Sequence, residues 1–185
     1  VLKPSEVAPE TARVLAKAIG ECFDPLDVAV ITGGVEVGQA FAGMPFDHLV
    51  FTGSTEVGKK IMRAAADNLV PVTLELGGKS PVIISETADI REAARRLAIA
   101  KGMNGGQLCI SPDLVYVPVA ARDEFVSAFC ETYSALYPTV ENNPDYTAVV
   151  NVQHLARVAG YVAQAQEEGA EVVRCPDVGV PAVGR

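Results

Sequence analysis

Residues 48–76, HLVFTGSTEVGKKIMRAAADNLVPVTLEL, decide the fold of this chain. The segments 48–52 and 72–76 at its two ends are short and apolar, as is typical of buried strands. Between them, Gly53-Ser54 provides a turn, and residues 55–66 have the apolar spacing of a helix. A strand followed by a turn, a helix and a second strand predicts a β-α-β unit, in which the two strands run parallel.

The same alternation of strands and helices continues on both sides of this unit. Upstream, Pro9 suits the first turn of a helix that we expect to end at Gly20. A glycine-bearing turn at 33–38 is expected to lead into a short helix. We expect parallel strands at 28–31, 48–52 and 72–76 in one sheet. Further downstream, the pattern predicts strands at 82–84, 114–117 and 171–173 and a loop at 141–145. It also predicts a helix capped by Asp89, with Glu92 three residues on, and two later helices that contain Phe125 and Leu155. The predicted fold class is therefore α/β.

The composition is that of a globular protein and argues against binding to nucleic acid or to a membrane. Of 185 residues, 49% are hydrophobic and 21% are charged. The net charge is −8, because 23 acidic residues outnumber 15 basic ones, and the basic residues do not cluster. No nucleic-acid surface is therefore predicted. No apolar run approaches the roughly 18 residues that a membrane-spanning helix needs, so no membrane partner is predicted either.

The four cysteines and two histidines predict neither a metal site nor a disulfide framework. The cysteines show no C-x-x-C spacing, and His48 and His154 are too scattered to form a ligand motif. We therefore expect free thiols and a cytoplasmic location. Cys22, Cys130 and Cys175 fit the common role of a small buried apolar residue.

Glu75 lies near the carboxyl end of the predicted strand 72–76. The apolar residues of this strand alternate onto one face, and Glu75 lies on the other face with Thr73. The flexible pair Gly77-Gly78 follows directly. Ligands of open α/β sheets bind at the carboxyl ends of the strands, so Glu75 is a candidate general base.

Cys109 lies 34 residues after Glu75 (109 − 75), in the segment NGGQLCISPD at 104–113. Small and polar residues surround it, which predicts an exposed turn and not an apolar helix face. A thiol and a carboxylate are the nucleophile and the base needed to form a covalent acyl intermediate and then hydrolyse it.

The turn FTGSTEVG at 51–58 is a candidate phosphate site. Free N–H groups at a helix start, with Ser54 beside them, suit an anion, but the spacing supports equally well that Ser54 is only an N-cap. A P-loop is not formed, because Lys60 occupies the position of the hydroxyl that binds Mg²⁺. The usual G-x-G-x-x-G fingerprint also fails at 33–38, since Val35 replaces its second glycine.

Four motifs, in this order, resemble signatures of the aldehyde dehydrogenase superfamily. They are KPSE at 3–6, FTGSTEVG at 51–58, LELGGKSP at 74–81 and GQLC at 106–109. Gly34 and Gly38 also match the variant turn G-x-x-x-G of that family. The family keeps the same spacing between its catalytic glutamate and cysteine, and the resemblance covers essentially the whole chain.

The resemblance implies a Rossmann-like part of an NAD(P)-binding domain over 1–77 and part of a catalytic domain over 78–185. It implies that Cys109 is the nucleophile and that Glu75 activates the hydrolytic water. It implies NAD or NADP as cofactor, held by Lys3, Glu6, Gly34, Gly38, Gly53, Ser54, Val57 and Leu76. A carboxylate near the ribose 2′-hydroxyl disfavours the extra phosphate of NADP by charge repulsion.

The implied reaction is oxidation of a small-molecule aldehyde to a carboxylic acid through a thiohemiacetal and a thioester on Cys109. The run Cys-Ile-Ser-Pro-Asp at 109–113 resembles the branch that acts on aromatic and longer-chain aldehydes, including coniferyl aldehyde. Leu108 and Leu114 depart from the family pattern, in which a polar residue and frequently an aromatic residue occupy these positions.

The resemblance also implies family parts that lie outside residues 1–185: an upstream asparagine of the oxyanion hole, a downstream glutamate for the nicotinamide ribose, and an oligomerisation arm. We therefore expect a fragment, truncated at both ends, of a homo-oligomeric parent. Two alternatives stay open. One is a cysteine hydrolase or acyltransferase that uses Cys109 without a nicotinamide, although neither His48 nor His154 lies in an exposed motif suited to activate it. The other is a cofactor-binding fragment that does no chemistry.

Overall fold

The computed structural model describes residues 1–140 and 142–175. The contacts of the chain divide it into two compact units, Val1–Gly77 and Gly78–Arg185. Two parts of the predictions lie outside the described residues: Glu141 of the loop 141–145, and residues 176–185 of the proposed catalytic part. The assignment of the units to cofactor binding and catalysis stays a prediction.

The first unit contains the predicted β-α-β arrangement. Its elements are α1 (Pro9–Cys22), α2 (Val35–Ala42), β1 (Leu49–Gly53), α3 (Thr55–Ala66) and β2 (Val72–Leu76). The strands β1 and β2 pair in parallel, with Leu49 opposite Val72 and Gly53 opposite Leu76. This parallel pair, joined by a helix, confirms the α/β prediction.

A small apolar core holds α3 against the two strands. Leu49, Ala65 and Val70 are buried, and partly buried residues such as Phe41 and Ile61 pack against them. The helix comes close to β2 because Gly58 has no side chain: a Cβ there would lie 2.9 Å from Leu76 Cδ2. Glycine at this helical position therefore permits the close packing of helix on sheet.

Two predictions for the start of this unit are wrong. Residues 28–31 are not a third strand of the sheet; Val30 forms only one isolated parallel bridge, to Leu2. The Leu2 N–H donates to the Ala29 carbonyl and the Ile31 N–H to the Leu2 carbonyl, both at 2.8 Å. The helix α1 continues through Gly20 to Cys22. A glycine costs a helix only about 1 kcal/mol, so Gly20 alone does not end it.

The second unit repeats the pattern of parallel strands and helices. Its elements are β3 (Val82–Ile83), α4 (Ile90–Gly102), β4 (Val115–Tyr116), α5 (Arg122–Leu136) and α6 (Val152–Glu167), with 3₁₀ turns at Met103–Gly106 and Val119–Ala121. The strands β3 and β4 are parallel. The predicted cap of α4 is confirmed, since the Asp89 carboxylate accepts the Glu92 N–H at 3.0 Å.

The core of this unit lies where α4 packs on α5. Ala94 and Ala98 of α4 are fully buried, and Ala128 of α5 is 3% exposed. Ile84 and Phe125 complete the buried cluster, with Ile90, Ala93 and Leu97 of α4 packed around it. Small side chains at the contact let the two helices approach closely.

Two predictions fail in the described part of the segment that follows α6. Residues 171–173 are not a strand. Cys130 on α5 and Cys175 form a disulfide with a Cα–Cα distance of 4.9 Å, so the prediction of free thiols is wrong for this pair. The two cysteines are 45 residues apart in sequence, and no local pattern shows that the chain returns to α5. The cytoplasmic location, which rested on free thiols, stays a prediction. Among the residues described, no helix has the length and apolar character needed to cross a membrane.

The close contact between α4 and α5 gives a stability prediction. Ala94→Leu is expected to lower the free energy of unfolding by about 1–3 kcal/mol, because the larger side chain overpacks a fully buried position. Ala135→Leu makes the same change at an exposed position of α5 and serves as the control. Urea unfolding of the two variants measures the difference. An Ala94→Leu protein as stable as the Ala135→Leu protein would show that the helix contact is loosely packed.

Candidate active site

The candidate residues belong to both units. Glu75 and the predicted cofactor residues lie in the unit 1–77, and Cys109 lies in the second unit.

Ser54 lies at the turn between β1 and α3. Its Oγ accepts the Val57 N–H at 3.3 Å, so Ser54 is the N-cap of the helix. Ser54 is exposed, as are Thr55 and Glu56 of the first turn. A Cβ added to Gly53 would lie 2.4 Å from Phe51 Cζ, so a larger residue there would have to displace the Phe51 ring. The turn therefore presents an open helix N-terminus, where backbone N–H groups and the helix dipole favour an anion.

Lys3, Glu6 and Gly38 are brought together at the start of the first unit. Lys3 Nζ lies 2.8 Å from Glu6 Oε2 and also donates to the Pro4 carbonyl at 3.1 Å. The hydrogen bond from Lys3 lowers the pKa of Glu6 below its ordinary value. The stem of Lys3 passes Gly38, where an added Cβ would lie 3.5 Å from Lys3 Cε. Gly34 is the N-cap of α2, and its carbonyl oxygen accepts a hydrogen bond from the Gly38 N–H at 3.1 Å.

These groups have the chemistry that a dinucleotide requires. A paired ammonium and carboxylate, Lys3 and Glu6, can bond ribose hydroxyls. The open N-terminus of α3 can accept a phosphate. Leu76 and Val57 supply apolar surface; Leu76 packs against Gly58, and Val57 is 43% exposed. The residues present therefore fit NAD or NADP.

Glu75 lies on the open face of β2. The residues Val72, Leu74 and Leu76 are half-buried, whereas Thr73 and Glu75 are exposed, as the alternation predicted. Glu75 is opposite Thr52 of β1 in the parallel register. Its carboxylate is therefore presented to solvent one residue before the carboxyl end of the strand.

Cys109 is an exposed free thiol in the loop between α4 and β4. The chain enters this loop through three successive left-handed residues: Asn104, Gly105 and Gly106, with φ of 51°, 60° and 74°. Left-handed backbone favours glycine and, less strongly, asparagine. A Cβ on Gly105 would also lie 2.6 Å from the Thr147 carbonyl oxygen. The glycines before Cys109 are thus needed to form the turn that exposes it.

Gln107 anchors this loop to residues 148–150. Its Nε2 donates to the carbonyls of Asn104 at 3.0 Å and Ala148 at 3.1 Å. Its Oε1 accepts the Val150 N–H at 3.0 Å. Sequence reasoning did not select Gln107 as a site residue. The sequence did contain one indication of this role. An amide side chain lies between a glycine turn and the thiol, where it can form hydrogen bonds with backbone groups.

Asp113 and Ser80 also hold the loop and were likewise missed. Lys101 Nζ donates to Asp113 at 3.1 Å, and Lys79 forms an ion pair with the same carboxylate. Ser80 Oγ donates to the Cys109 carbonyl at 3.2 Å. Their partners are 12 to 34 residues away (113 − 101 and 113 − 79), so periodicity gave no indication of these contacts.

The described histidines and acidic residues give little support to a histidine-activated hydrolase or to a metal site. His48 Nε2 lies 2.9 Å from Thr73 Oγ1, and Arg157 Nε donates to His154 Nδ1 at 3.4 Å. Within residues 1–140 and 142–175, no group of three or more His, Cys, Asp or Glu side chains could hold a metal ion. The described structure therefore gives no specific support to a histidine-activated cysteine hydrolase.

A sequence profile described as the aldehyde dehydrogenase family matches residues 1–177. The chain belongs to the aldehyde dehydrogenase family. The matched range includes all of the candidate site residues described above.

Three proteins illustrate the relationship of this chain to the family. Coniferyl aldehyde dehydrogenase of Pseudomonas sp. (strain HR199) is 48% identical over 94% of this chain and 36% of its own length. The 4,4'-diaponeurosporen-aldehyde dehydrogenase of Staphylococcus aureus is 43% identical over 90% of this chain and 36% of its own length. The crystal structure of the Mycobacterium tuberculosis aldehyde dehydrogenase complexed with NAD+ superposes with a TM-score of 0.83 at 37% identity, covering 94% of this chain and 37% of that one. The chain thus spans about 36% of the length of the curated relatives it matches.

The Gln107 contacts give a prediction for the loop that carries Cys109. Gln107→Glu keeps the shape of the side chain but cannot donate to the carbonyls of Asn104 and Ala148. We expect faster hydrogen exchange of the amides at 104–110 and a loss of about 1 kcal/mol in the free energy of unfolding. Gln153→Glu makes the same change at an exposed position of α6 and is the control. Identical exchange in the two variants would mean that Gln107 does not hold the loop.

Proposed function

We propose that the protein oxidises an aldehyde to a carboxylic acid with NAD or NADP as cofactor. The observation that carries the proposal is the exposed Cys109 thiol in a loop held by Gln107 and Ser80. Membership of the aldehyde dehydrogenase family supports the reaction class. The proposal covers the whole protein, of which residues 1–185 carry the nucleophile, the base and a group of cofactor contacts.

Cys109 is the proposed nucleophile. Its thiolate attacks the aldehyde carbonyl carbon and gives a tetrahedral thiohemiacetal. The oxyanion of this intermediate can accept a hydrogen bond from the Cys109 backbone N–H. Bound NAD(P) supplies the hydride acceptor that converts the thiohemiacetal to a thioester. The exposure of Cys109 supports this role, because the thiol must meet both substrate and solvent water.

Glu75 is the proposed general base for release of the acid. It takes a proton from water as the water attacks the thioester, and the Cys109 thiolate leaves. Its exposed position near the end of β2, just before Gly77 and Gly78, supports this role. The glycines give the backbone freedom to move the carboxylate between positions.

The first unit is proposed to hold the cofactor. Ser54 and the N-terminus of α3 would bind the pyrophosphate, and Lys3 with Glu6 would bind the adenosine ribose. Gly34, Gly38 and Gly53 leave room for the ligand, with Val57 and Leu76 as apolar contacts. The relative crystallised with NAD+ supports this ligand class. The negative charge of Glu6 favours NAD over NADP.

The proposed substrate is an aromatic or longer-chain aldehyde, with coniferyl aldehyde as the first choice for assay. Two relatives are named for coniferyl aldehyde and for 4,4'-diaponeurosporen-aldehyde. The neighbours of the thiol are apolar and accessible: Leu108 is 39% exposed and Ile110 is 78% exposed. Apolar side chains beside the nucleophile suit an apolar substrate. We further propose a homo-oligomer that uses neither nucleic acid nor membrane as a partner.

The pyrophosphate role of Ser54 can be separated from its role as an N-cap. Aspartate caps a helix as well as serine does, so Ser54→Asp should leave the stability of the protein unchanged. It places a negative charge beside the proposed phosphates, and we expect NAD affinity to fall at least about tenfold, which corresponds to roughly 1.4 kcal/mol. Calorimetric titration with NAD measures the change.

The matched control for Ser54→Asp is Asn151→Asp. Asn151 is the N-cap of α6 and accepts the His154 N–H at 2.8 Å. Its replacement adds the same charge to a helix start that is not proposed to bind cofactor. If Ser54→Asp binds NAD with wild-type affinity, the pyrophosphate of NAD must bind at another part of the molecule.

The roles of Cys109 and Glu75 are tested by NADH formation in the protein at its native length. Cys109→Ala should abolish aldehyde-dependent NADH while NAD still binds; Cys22→Ala, at the other exposed free cysteine, is the control. Glu75→Gln should keep a single burst of NADH, while steady-state turnover falls by about 10²–10⁴-fold, the usual value of general-base assistance.

Different outcomes would point to different chemistry. Turnover of Glu75→Gln within a few-fold of wild type would make Glu75 a structural residue. Hydrolysis of an ester by Cys109 with no NADH from any aldehyde would favour the hydrolase. Binding of NAD with neither reaction would favour a cofactor-binding protein without chemistry.

A further inference from the structure

One carboxylate connects the two ends of the loop that carries Cys109. Asp113, near the end of the loop, accepts a hydrogen bond from Lys101 Nζ at 3.1 Å. Lys101 lies in the last turn of α4, just before the loop begins at Met103. The side chains of Asp113 and Lys101 therefore close residues 101–113 into a ring that contains the thiol.

A second lysine attaches a separate segment to the same carboxylate. Lys79 forms an ion pair with Asp113. The next residue, Ser80, donates its hydroxyl hydrogen to the Cys109 carbonyl at 3.2 Å. Ser80 also has an uncommon left-handed backbone, with φ of 42°. Residues 79–80 thus contact the loop at the cysteine itself and at Asp113.

The contact made by Lys101 extends to the turn before the thiol. A Cβ added to Gly106 would lie 3.2 Å from Lys101 Cε and 3.3 Å from the Lys101 carbonyl oxygen. Gly106 is the last of the left-handed residues that turn the chain toward Cys109. The lysine stem that Asp113 holds therefore packs against the backbone that orients the thiol.

The Asp113 network is better suited to set geometry than to stabilise the fold. Its members are accessible, with Lys79 73% and Asp113 35% exposed, and exposed ion pairs contribute little to the free energy of folding. Hydrogen bonds from Lys79 and Lys101 lower the pKa of Asp113, and the bond from Lys79 has the larger effect. The carboxylate therefore stays charged at neutral pH. Both ammonium groups share this carboxylate as a partner.

We propose that Asp113 is a positioning residue for Cys109, acting through Lys101 and Lys79. The inference rests on the proposed function, because the orientation of the thiol matters for rate only if Cys109 attacks a substrate. A nucleophile displaced by about 1 Å loses on the order of 10²-fold in rate.

The test compares Asp113→Asn with Glu131→Gln in the protein at its native length. The first change removes the shared charge and preserves the size of the side chain. The second breaks the ion pair of Glu131 with Arg91, at 2.6 Å, which joins α4 to α5 away from the loop. Asp113→Asn is expected to slow the aldehyde-dependent burst of NADH by about 10- to 100-fold and to speed hydrogen exchange at 103–110. Glu131→Gln is expected to change neither quantity.

Two further measurements separate positioning from a loss of reactive thiol. Iodoacetamide needs only an accessible thiolate, so its rate with Cys109 at high pH should match wild type in Asp113→Asn. Asp113→Glu restores the carboxylate and should recover most of the burst rate. Lys101→Gln added to Asp113→Asn should cause no further loss, because both changes remove the same contact.

Several results would overturn the inference. A wild-type burst rate together with wild-type exchange in Asp113→Asn would show that the carboxylate does not orient the loop. An equal fall in burst and alkylation rates would show that the thiol had become less accessible or less reactive, and not that it was misplaced. A wild-type protein that forms no NADH would refute the proposed function, while the exchange at 103–110 in Asp113→Asn would still decide whether Asp113 orders the loop.

Discussion

Parallel pairing of β1 with β2 is the constraint on which the first unit depends. The carboxyl ends of parallel strands lie at one edge of the sheet, so the turn at Ser54 and the carboxylate of Glu75 come to the same edge. The crossover helix α3 covers one face, where Gly58 meets Leu76. The other face carries Glu75 and stays exposed in the described structure. Antiparallel pairing would have placed Ser54 and Glu75 at opposite edges.

The features that sequence reasoning predicted are those set by neighbouring residues. Strand 72–76 and helix 55–66 match β2 and α3, and the cap at Asp89 depends on a residue only three positions away. The glycines before Cys109 likewise act locally, through backbone conformations that other residues rarely adopt.

The features that it missed depend on distant partners. Residues 28–31 have the composition of a strand but pair only through Val30 with Leu2, so composition could not show how short the pairing is. The disulfide of Cys130 with Cys175 and the contacts of Asp113 join segments that are remote in sequence. Pattern and spacing identified the candidate thiol, but the side chains that hold its loop appear only in the folded chain.

The disulfide affects how the protein must be prepared. Cys109 has to be a free thiol to act as a nucleophile, and laboratory reductants keep it so. The same reductants attack other accessible disulfides by thiol exchange, so they can also open the bond between Cys130 and Cys175. A sample stored with reductant and one stored in air can then differ in covalent structure at the disulfide and at the exposed thiols of Cys22 and Cys109. Activity measured in one cannot be compared with stability measured in the other unless the thiols of both samples are counted.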